Sequence, residues 1–292
     1  MPSRAARKHA QAAATLRGQA DAVAQVSAAD APALYAAALA HATNRPRPGE
    51  RLRHPEPMSL DPVIDIGFDF RTDARGKDPD SHSPTLRSYH RLLWSKPLPS
   101  GEFFDLSDTT PGMYLHHGSA LGEFFLSSDT VMQTFTKWPA LKPITEQLSA
   151  SENAAFMRIA YTIGAMMVFP GIQVDRKWTI NQARGCNKSI SDRFDLTLEC
   201  IRRHYSGQWS PLSGTLSLYG DFFALFDDFR GYVSFFLLDD LVNDDLSVRF
   251  FMPFDDFHPP SVPKDVGAYK EYRRRSIEFI EARNHRIKLL DL

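Results

Sequence analysis

The residues best suited by type and spacing to do chemistry run from Thr179 to Tyr205. Thr179-Ile180-Asn181-Gln182-Ala183-Arg184-Gly185-Cys186-Asn187 gathers amides, a guanidinium and a glycine, and Ile190-Ser191-Asp192-Arg193-Phe194-Asp195-Leu196-Thr197-Leu198-Glu199-Cys200-Ile201-Arg202-Arg203-His204-Tyr205 follows with mixed charge. Set on a helix at about 100° per residue, Phe194, Leu198, Ile201 and Tyr205 share one face. The charged residues occupy the other, and Glu199 precedes Arg202 and Arg203 at the spacing and in the order that favour intrahelical ion pairs. Two chemistries fit this pattern. The first is an amphipathic helix with a self-paired charged face. In the second, Asn181, Arg184, Asn187 and Arg203 form the ligand-binding wall of a pocket, and Asp192, Asp195 and Glu199 are its catalytic carboxylates. An Asn/Arg/Gly loop opening a helix offers donors to an anion, whereas Asp192, expected as a cap or first-turn acid, repels a phosphate. The pocket version requires Arg184 and Glu199 to point into one shielded concave site, because a half-buried carboxylate needs a cation beside it.

Elsewhere the chemistry is thinner. There is no Gly-rich phosphate loop, no G-x-G-x-x-G, no H-E-x-x-H, no G-x-S-x-G elbow and no C-x-x-C. Asp175-Arg176-Lys177 holds a D-x-K fragment of a nuclease pattern, but Ile159 to Ile172 supplies no second acid, so it reads as a surface turn. Asp78, Asp80, His82 and His90 cluster in sequence and His116-His117 are adjacent, yet no two of these histidines stand three or four apart as a metal-binding helical pair would, and no metal site is expected. His90 falls beside Leu86, Leu93 and Trp94 and reads as a hydrogen-bonded core histidine. The Asp pairs at 227–228, 239–240, 244–245 and 255–256 interleave with phenylalanines and read as solvated rims and helix ends. Opposite them stands a basic segment, Arg273-Arg274-Arg275, Arg283, His285, Arg286 and Lys288, able to dock on the acids within the molecule or to contact a protein, a nucleotide or nucleic acid.

The elements that must position these groups follow from punctuation and periodicity. Val63 to Phe70 alternates with period two and predicts a strand; Ser83-Pro84 predicts a capped helix through Trp94. A hairpin is expected over Glu102–Leu106 and a strand at Phe124-Phe125-Leu126. Ser128 or Asp129 is read as the cap of a helix ending before Pro139. Ile159–Phe169 and Trp178–Ile180 are expected to pair as strands. Long helices are expected over Asn187–Tyr205, Thr215–Val242 and Lys264–Leu290, with Leu198, Ile201, Phe222, Phe226 and Phe229 in the core.

The stretch from Thr179 to Tyr205 resembles an uncharacterised bacterial protein family, a domain of unknown function. The resemblance extends to Lys77-Asp78-Pro79-Asp80, Ser83-Pro84-Thr85-Leu86-Arg87, Leu93-Trp94-Ser95-Lys96-Pro97-Leu98-Pro99, Leu121-Gly122-Glu123-Phe124 and Ser276-Ile277-Glu278-Phe279-Ile280-Glu281-Ala282-Arg283-Asn284. It spans roughly residues 65–290. It implies a bacterial, cytoplasmic protein and assigns no catalytic residue or cofactor.

Composition bounds the rest. The 292 residues carry 34 Lys+Arg against 35 Asp+Glu, a balance that disfavours a strongly electrostatic nucleic-acid binder. Twenty-one phenylalanines exclude disorder throughout, and two cysteines exclude a disulfide framework, which points to a reducing cytosol. The uncharged, largely apolar run Ile159–Val174 is interrupted by Gly164, Pro170 and Gly171 and is too short to span a membrane. Residues 1–57 form an alanine-rich mobile tail and Pro-rich linker that supplies too little apolar area to order itself; residues 58–292 form the folded domain. The fold class expected is α+β: a helix-dominated single domain with a few short strands or hairpins. The leading functional expectation is a non-catalytic or regulatory protein that binds a partner through charged helices. The alternative is an enzyme acting on a nucleotide or nucleic acid through Asn181–Arg203.

Overall fold

The structure, a computed structural model, describes residues 63–108 and 115–290. The tail and linker, and any contact they make, lie outside the described residues. Within them the chain is helix-dominated α+β, built around two small antiparallel sheets.

The first segment departs from the expected strand. Asp65 and Asp69 take the amides two residues on (Gly67 N to Asp65 Oδ1 2.9 Å, Arg71 N to Asp69 Oδ1 3.0 Å), so residues 63–76 run as successive turns. Asx turns consume the donors a strand would need. Helix α1 (Pro79–His82) and helix α2 (Pro84–Trp94) follow, α2 capped by Ser83 Oγ accepting from Leu86 N, as the Ser-Pro pair predicts. Strands β1 (Lys96–Pro97) and β2 (Phe103–Phe104) form a small hairpin; only β2 falls in the stretch expected over Glu102–Leu106, because its partner comes from the Lys96-Pro97 segment that follows α2.

The larger sheet has the order β3-β4-β5-β6, with β3 at Ser107–Asp108, β4 at Leu115–Ser119, β5 at Gly122–Thr130 and β6 at Met166–Pro170. Ser128 and Asp129 therefore cap no helix. They continue β5, opposite Val168 and Met167, because β6 supplies a second ladder to that strand. Helices α3 (Lys142–Thr145) and α4 (Ala150–Ile159) lead back to β6. Trp178–Ile180 does not pair with this segment either. Thr179 instead caps α5 (Ile180–Cys186), in a reciprocal box with Gln182.

Helix α6 covers Phe194–Tyr205 only. Ser191 and Asp192 adopt φ of +51° and +59°, which ends any helix begun at Asn187. The expected helix over Thr215–Val242 is likewise broken, into α7 (Ser213–Leu216), α8 (Gly220–Ala224) and α9 (Phe229–Phe235) joined by short turns. Asp227 at φ +63° reverses the chain, Asp228 caps α9, and the backbone at Gly231 lies so close to the Phe226 carbonyl that a Cβ would sit 2.0 Å from it. Aromatic side chains on all sides of this segment require burial on all sides, which a straight helix on a surface cannot provide. Leu198, Ile201, Phe222, Phe226 and Phe229 are all buried.

The last helix, α10 (Val266–Lys288), matches its expectation closely and starts at Asp265, which accepts from Ala268 N. It covers the approach to β6. Gly164 packs against it without room for a Cβ, which would meet the Ile280 carbonyl at 2.5 Å. The buried Arg283 guanidinium donates to the carbonyls of Gly164 (3.0 Å), Met166 (2.8 Å) and Phe236 (3.1 Å). No helix among the described residues is long and apolar enough to cross a membrane.

Candidate functional site

Capping by Thr179 and Gln182 sets α5 so that Asn181 and Arg184, three residues apart, both reach β5. Asn181 Nδ2 donates to Ser127 Oγ (3.3 Å), and Arg184 Nη1 lies 3.4 Å from Asp129 Oδ2. The left-handed turn at Ser191-Asp192 then folds back over Arg184. Arg184 Nη2 donates to the Asp192 carbonyl (2.9 Å), its Nε lies 3.1 Å from Asp192 Oδ1, and Gln133 Nε2 donates to Asp192 Oδ2 (2.8 Å). Asp192 is thus neither a cap nor a first-turn acid of α6, whose N-cap is Arg193. Its side chain belongs to the Arg184 cluster.

A third carboxyl approaches from α1, which packs against β5. Asp80 is close enough for its charge to act on Asp129 and to feel Arg184. Arg184 is 1% exposed, whereas the Asp129 and Asp192 side chains keep 25% and 33% of their surface. The carboxylates therefore form the accessible side of the cluster, with the guanidinium beneath them.

Three acids around one cation are incompletely compensated. Burial pushes the Asp129 carboxyl up to about 7; Arg184 opposes the rise, and Asp192 and Asp80 reinforce it. Burial and the Asp78 charge raise Asp80 to about 6 against Ser128 and Arg184. Burial works against the Arg184 charge, but Asp192 and Asp129 outweigh it and hold the guanidinium above its ordinary value. Hydrogen bonding is incomplete too: Asp80 Oδ1, Asn181 Oδ1 and Arg184 Nε are buried without a hydrogen-bond partner. For Arg184 Nε the contact with Asp192 is an ion pair outside hydrogen-bond geometry.

The remaining sequence candidates take other partners. Asn187 Oδ1 accepts from Ser189 N (2.8 Å). Asp195 pairs with Arg193 and accepts from Phe251 N (2.8 Å), both side chains fully enclosed. Glu199 is gripped by Arg202 (2.7 Å) and Arg203 (2.8 Å), and Arg203 continues to Asp256 (2.6 Å). Glu199 and Arg184 do not share a site; α6 directs Glu199 toward its own last turn. Sequence reasoning missed Asp129, Ser128 and Gln133, and treated Asp80 and His90 without connecting them to Arg184. The polar run Ser127-Ser128-Asp129-Thr130 ending an apolar strand was the available signal, obscured by its likeness to a helix cap.

Chemically, the Asp80 and Asp129 carboxyls can hold a proton near neutral pH, and the cluster carries negative charge. Among the described residues no three His, Cys, Asp or Glu side chains are disposed to hold a metal ion. No curated protein and no solved structure matches the chain. A family model described as a family of unknown function, DUF6994, matches residues 64–287, a span that contains Asp80, Asp129, Arg184 and Asp192. The chain belongs to that family.

Proposed function

We propose that the domain is an enzyme that uses the Asp80 and Asp129 carboxyls for acid–base chemistry on an uncharged or cationic small molecule. The observation that carries this reading is the imbalance at Arg184: three carboxyls converge on one buried guanidinium, with unpartnered polar atoms around them. A general acid works best with a pKa near the operating pH, and environments that push carboxyls upward are a mark of such groups. Arg184 orients Asp129 and Asp192, and Asn181 and Gln133 brace the rim. The same charge argues against a nucleotide or nucleic acid at this site, since a phosphate would meet carboxylates before it met Arg184.

Partner binding through the basic last helix has less support. Arg274 and Arg275 pair with Glu271 on their own helix, Arg286 pairs with Asp240 (3.0 Å), and Arg273 and Arg283 are buried on carbonyl and amide oxygens. A reducing cytoplasm suits the reading, with both Cys186 and Cys200 free thiols.

The test is a thermal-shift and hydrolysis screen of wild type and Asp129→Asn against amines, neutral glycosides, amides and nucleotides. Stabilisation or turnover by neutral or cationic compounds, lost in Asp129→Asn, is expected. Stabilisation by nucleotides alone, or equal behaviour of both proteins, overturns the reading.

A further inference from the structure

Among the described residues, two serine hydroxyls lie against a histidine ring, and the proton between them runs in opposite directions. Ser128 Oγ is 3.0 Å from His90 Nε2, while the Trp94 indole N–H, which can only donate, lies 3.0 Å from His90 Nδ1. His90 is therefore bare at Nδ1 and donates from Nε2. A histidine that donates to a serine cannot take that serine's proton.

The second pair is the reverse. His117 and Ser119 stand two apart on β4, so their side chains share a face of the strand. His117 Nδ1 lies 2.8 Å from the Asp105 carbonyl, which can only accept, so in the neutral ring Nδ1 carries the proton and Nε2 is bare. Nε2 lies 2.8 Å from Ser119 Oγ and accepts its proton. The Leu121 amide donates to the same Oγ (3.1 Å) from the two-residue turn that joins β4 to β5, which fixes the hydroxyl's rotamer. Phe104 stacks on the imidazole, ring centroids 4.4 Å apart, and holds its plane. The ring is buried, whereas Ser119 is exposed at the end of its strand. Acceptor, histidine and serine thus stand in the order that makes a serine nucleophilic.

We propose that Ser119 and His117, with the Asp105 carbonyl as orienting group, form a second catalytic site that hydrolyses activated esters. The site shares no residue with the Arg184 cluster and goes beyond the acid–base reading of that cluster. Ser119 Oγ attacks the ester carbonyl carbon while its proton passes to His117 Nε2. The bond from that carbon to the leaving oxygen breaks, and His117 gives the proton to the departing group. Water then repeats the sequence: its oxygen adds to the acyl carbon, its proton goes to Nε2, the bond to Ser119 Oγ breaks and Oγ recovers the proton. The products are a carboxylic acid, the released alcohol and free Ser119. A backbone carbonyl fixes the ring's tautomer as a triad acid does, but it brings no full charge to stabilise the imidazolium. The substrate class follows from that difference: esters with a good leaving group, such as phenyl esters, and not amides.

The test is labelling of the full chain with an alkyl fluorophosphonate, from which Ser119 Oγ displaces fluoride, read by peptide mass spectrometry beside hydrolysis of p-nitrophenyl acetate. An adduct on Ser119 and none on Ser128 is expected. The labelling rate should fall about 100-fold in His117→Asn, whose amide can still donate to the Asp105 carbonyl but offers no base. Ser119→Ala, at an exposed position, should keep the melting temperature and lose ester hydrolysis. No adduct on Ser119, an adduct on Ser128 instead, an undiminished rate in folded His117→Asn, or unchanged hydrolysis in Ser119→Ala overturns the proposal. If His117→Asn does not fold, imidazole nitrogen shifts of the wild type at pH 8 decide in its place. A proton on Nδ1 with Nε2 bare is expected, and a proton on Nε2 overturns the assignment.

Discussion

Two clusters of charge lie a few residues apart in the chain, and they differ in how completely they are satisfied. Arg193 and Asp195 are sealed together, and Asp195 adds the Phe251 amide while Arg193 adds the Met252 carbonyl. Glu199 with Arg202 and Arg203 is similarly complete. Arg184 has three carboxyls for one positive charge, and Asp80 and Asn181 keep unpartnered oxygens. Saturation marks the first group as structural, because every polar atom withdrawn from water has a replacement partner. Incompleteness marks the second as the candidate site, because a buried polar group short of partners gains most from a proton or a ligand atom.

The comparison breaks most visibly at Asp195. Asp195→Ala leaves Arg193 buried and unpaired and orphans the Phe251 amide, so a loss of about 3–5 kcal/mol is expected in urea unfolding. Arg184→Ala should cost less, about 2–3 kcal/mol at pH 8, and distinctly less at pH 5, where the neighbouring carboxyls take up protons instead of repelling one another. A pH-independent cost would mean that the Arg184 cluster is as saturated as its neighbour.

Asp129→Asn sharpens the contrast through its sign. The folded carboxyl titrates above its unfolded value, so the native state binds the extra proton between roughly pH 4 and 7. Stability contributed by the protonated form is complete below the unfolded pKa and is lost as pH rises through the folded one. The unfolding midpoint of Asp129→Asn relative to wild type should therefore move in favour of the variant from pH 5 to pH 8; movement the other way would contradict the assigned shift. At the small end, Arg274→Ala removes two ion pairs on the exposed face of α10, with Glu271 and Glu278, and should leave the midpoint unchanged within measurement error.

Where local rules act alone, the sequence was readable. Ser83-Pro84 opened α2, the helical spacing of Tyr269, Tyr272, Ile277, Ile280 and Ile287 marked α10, and the Glu199 pairs formed at the spacing that favours them. Three things hid the candidate site. Asp129 is 55 residues from Arg184, so only the sheet topology brings them together. Ser128-Asp129 carries the side chains of a helix cap, and only β6 as a neighbour makes it strand. Asp192 reaches Arg184 through a positive-φ turn that no side-chain pattern announces, and the same turn separates Arg184 from Glu199.

The clamp of Arg283 on Gly164 and Met166 has a consequence for biosynthesis. Its donor follows the Met166 carbonyl by 117 residues, so during synthesis the strands are made well before the helix that supplies the clamp. Until α10 has emerged, β6 presents an apolar edge of the kind that recruits another strand, and a nascent chain stalled between α9 and α10 would be an aggregation hazard. Chains shortened before Arg283 should accumulate with chaperones or in inclusion bodies even though every candidate site residue is present. Completion of the fold is thereby tied to arrival of its final helix.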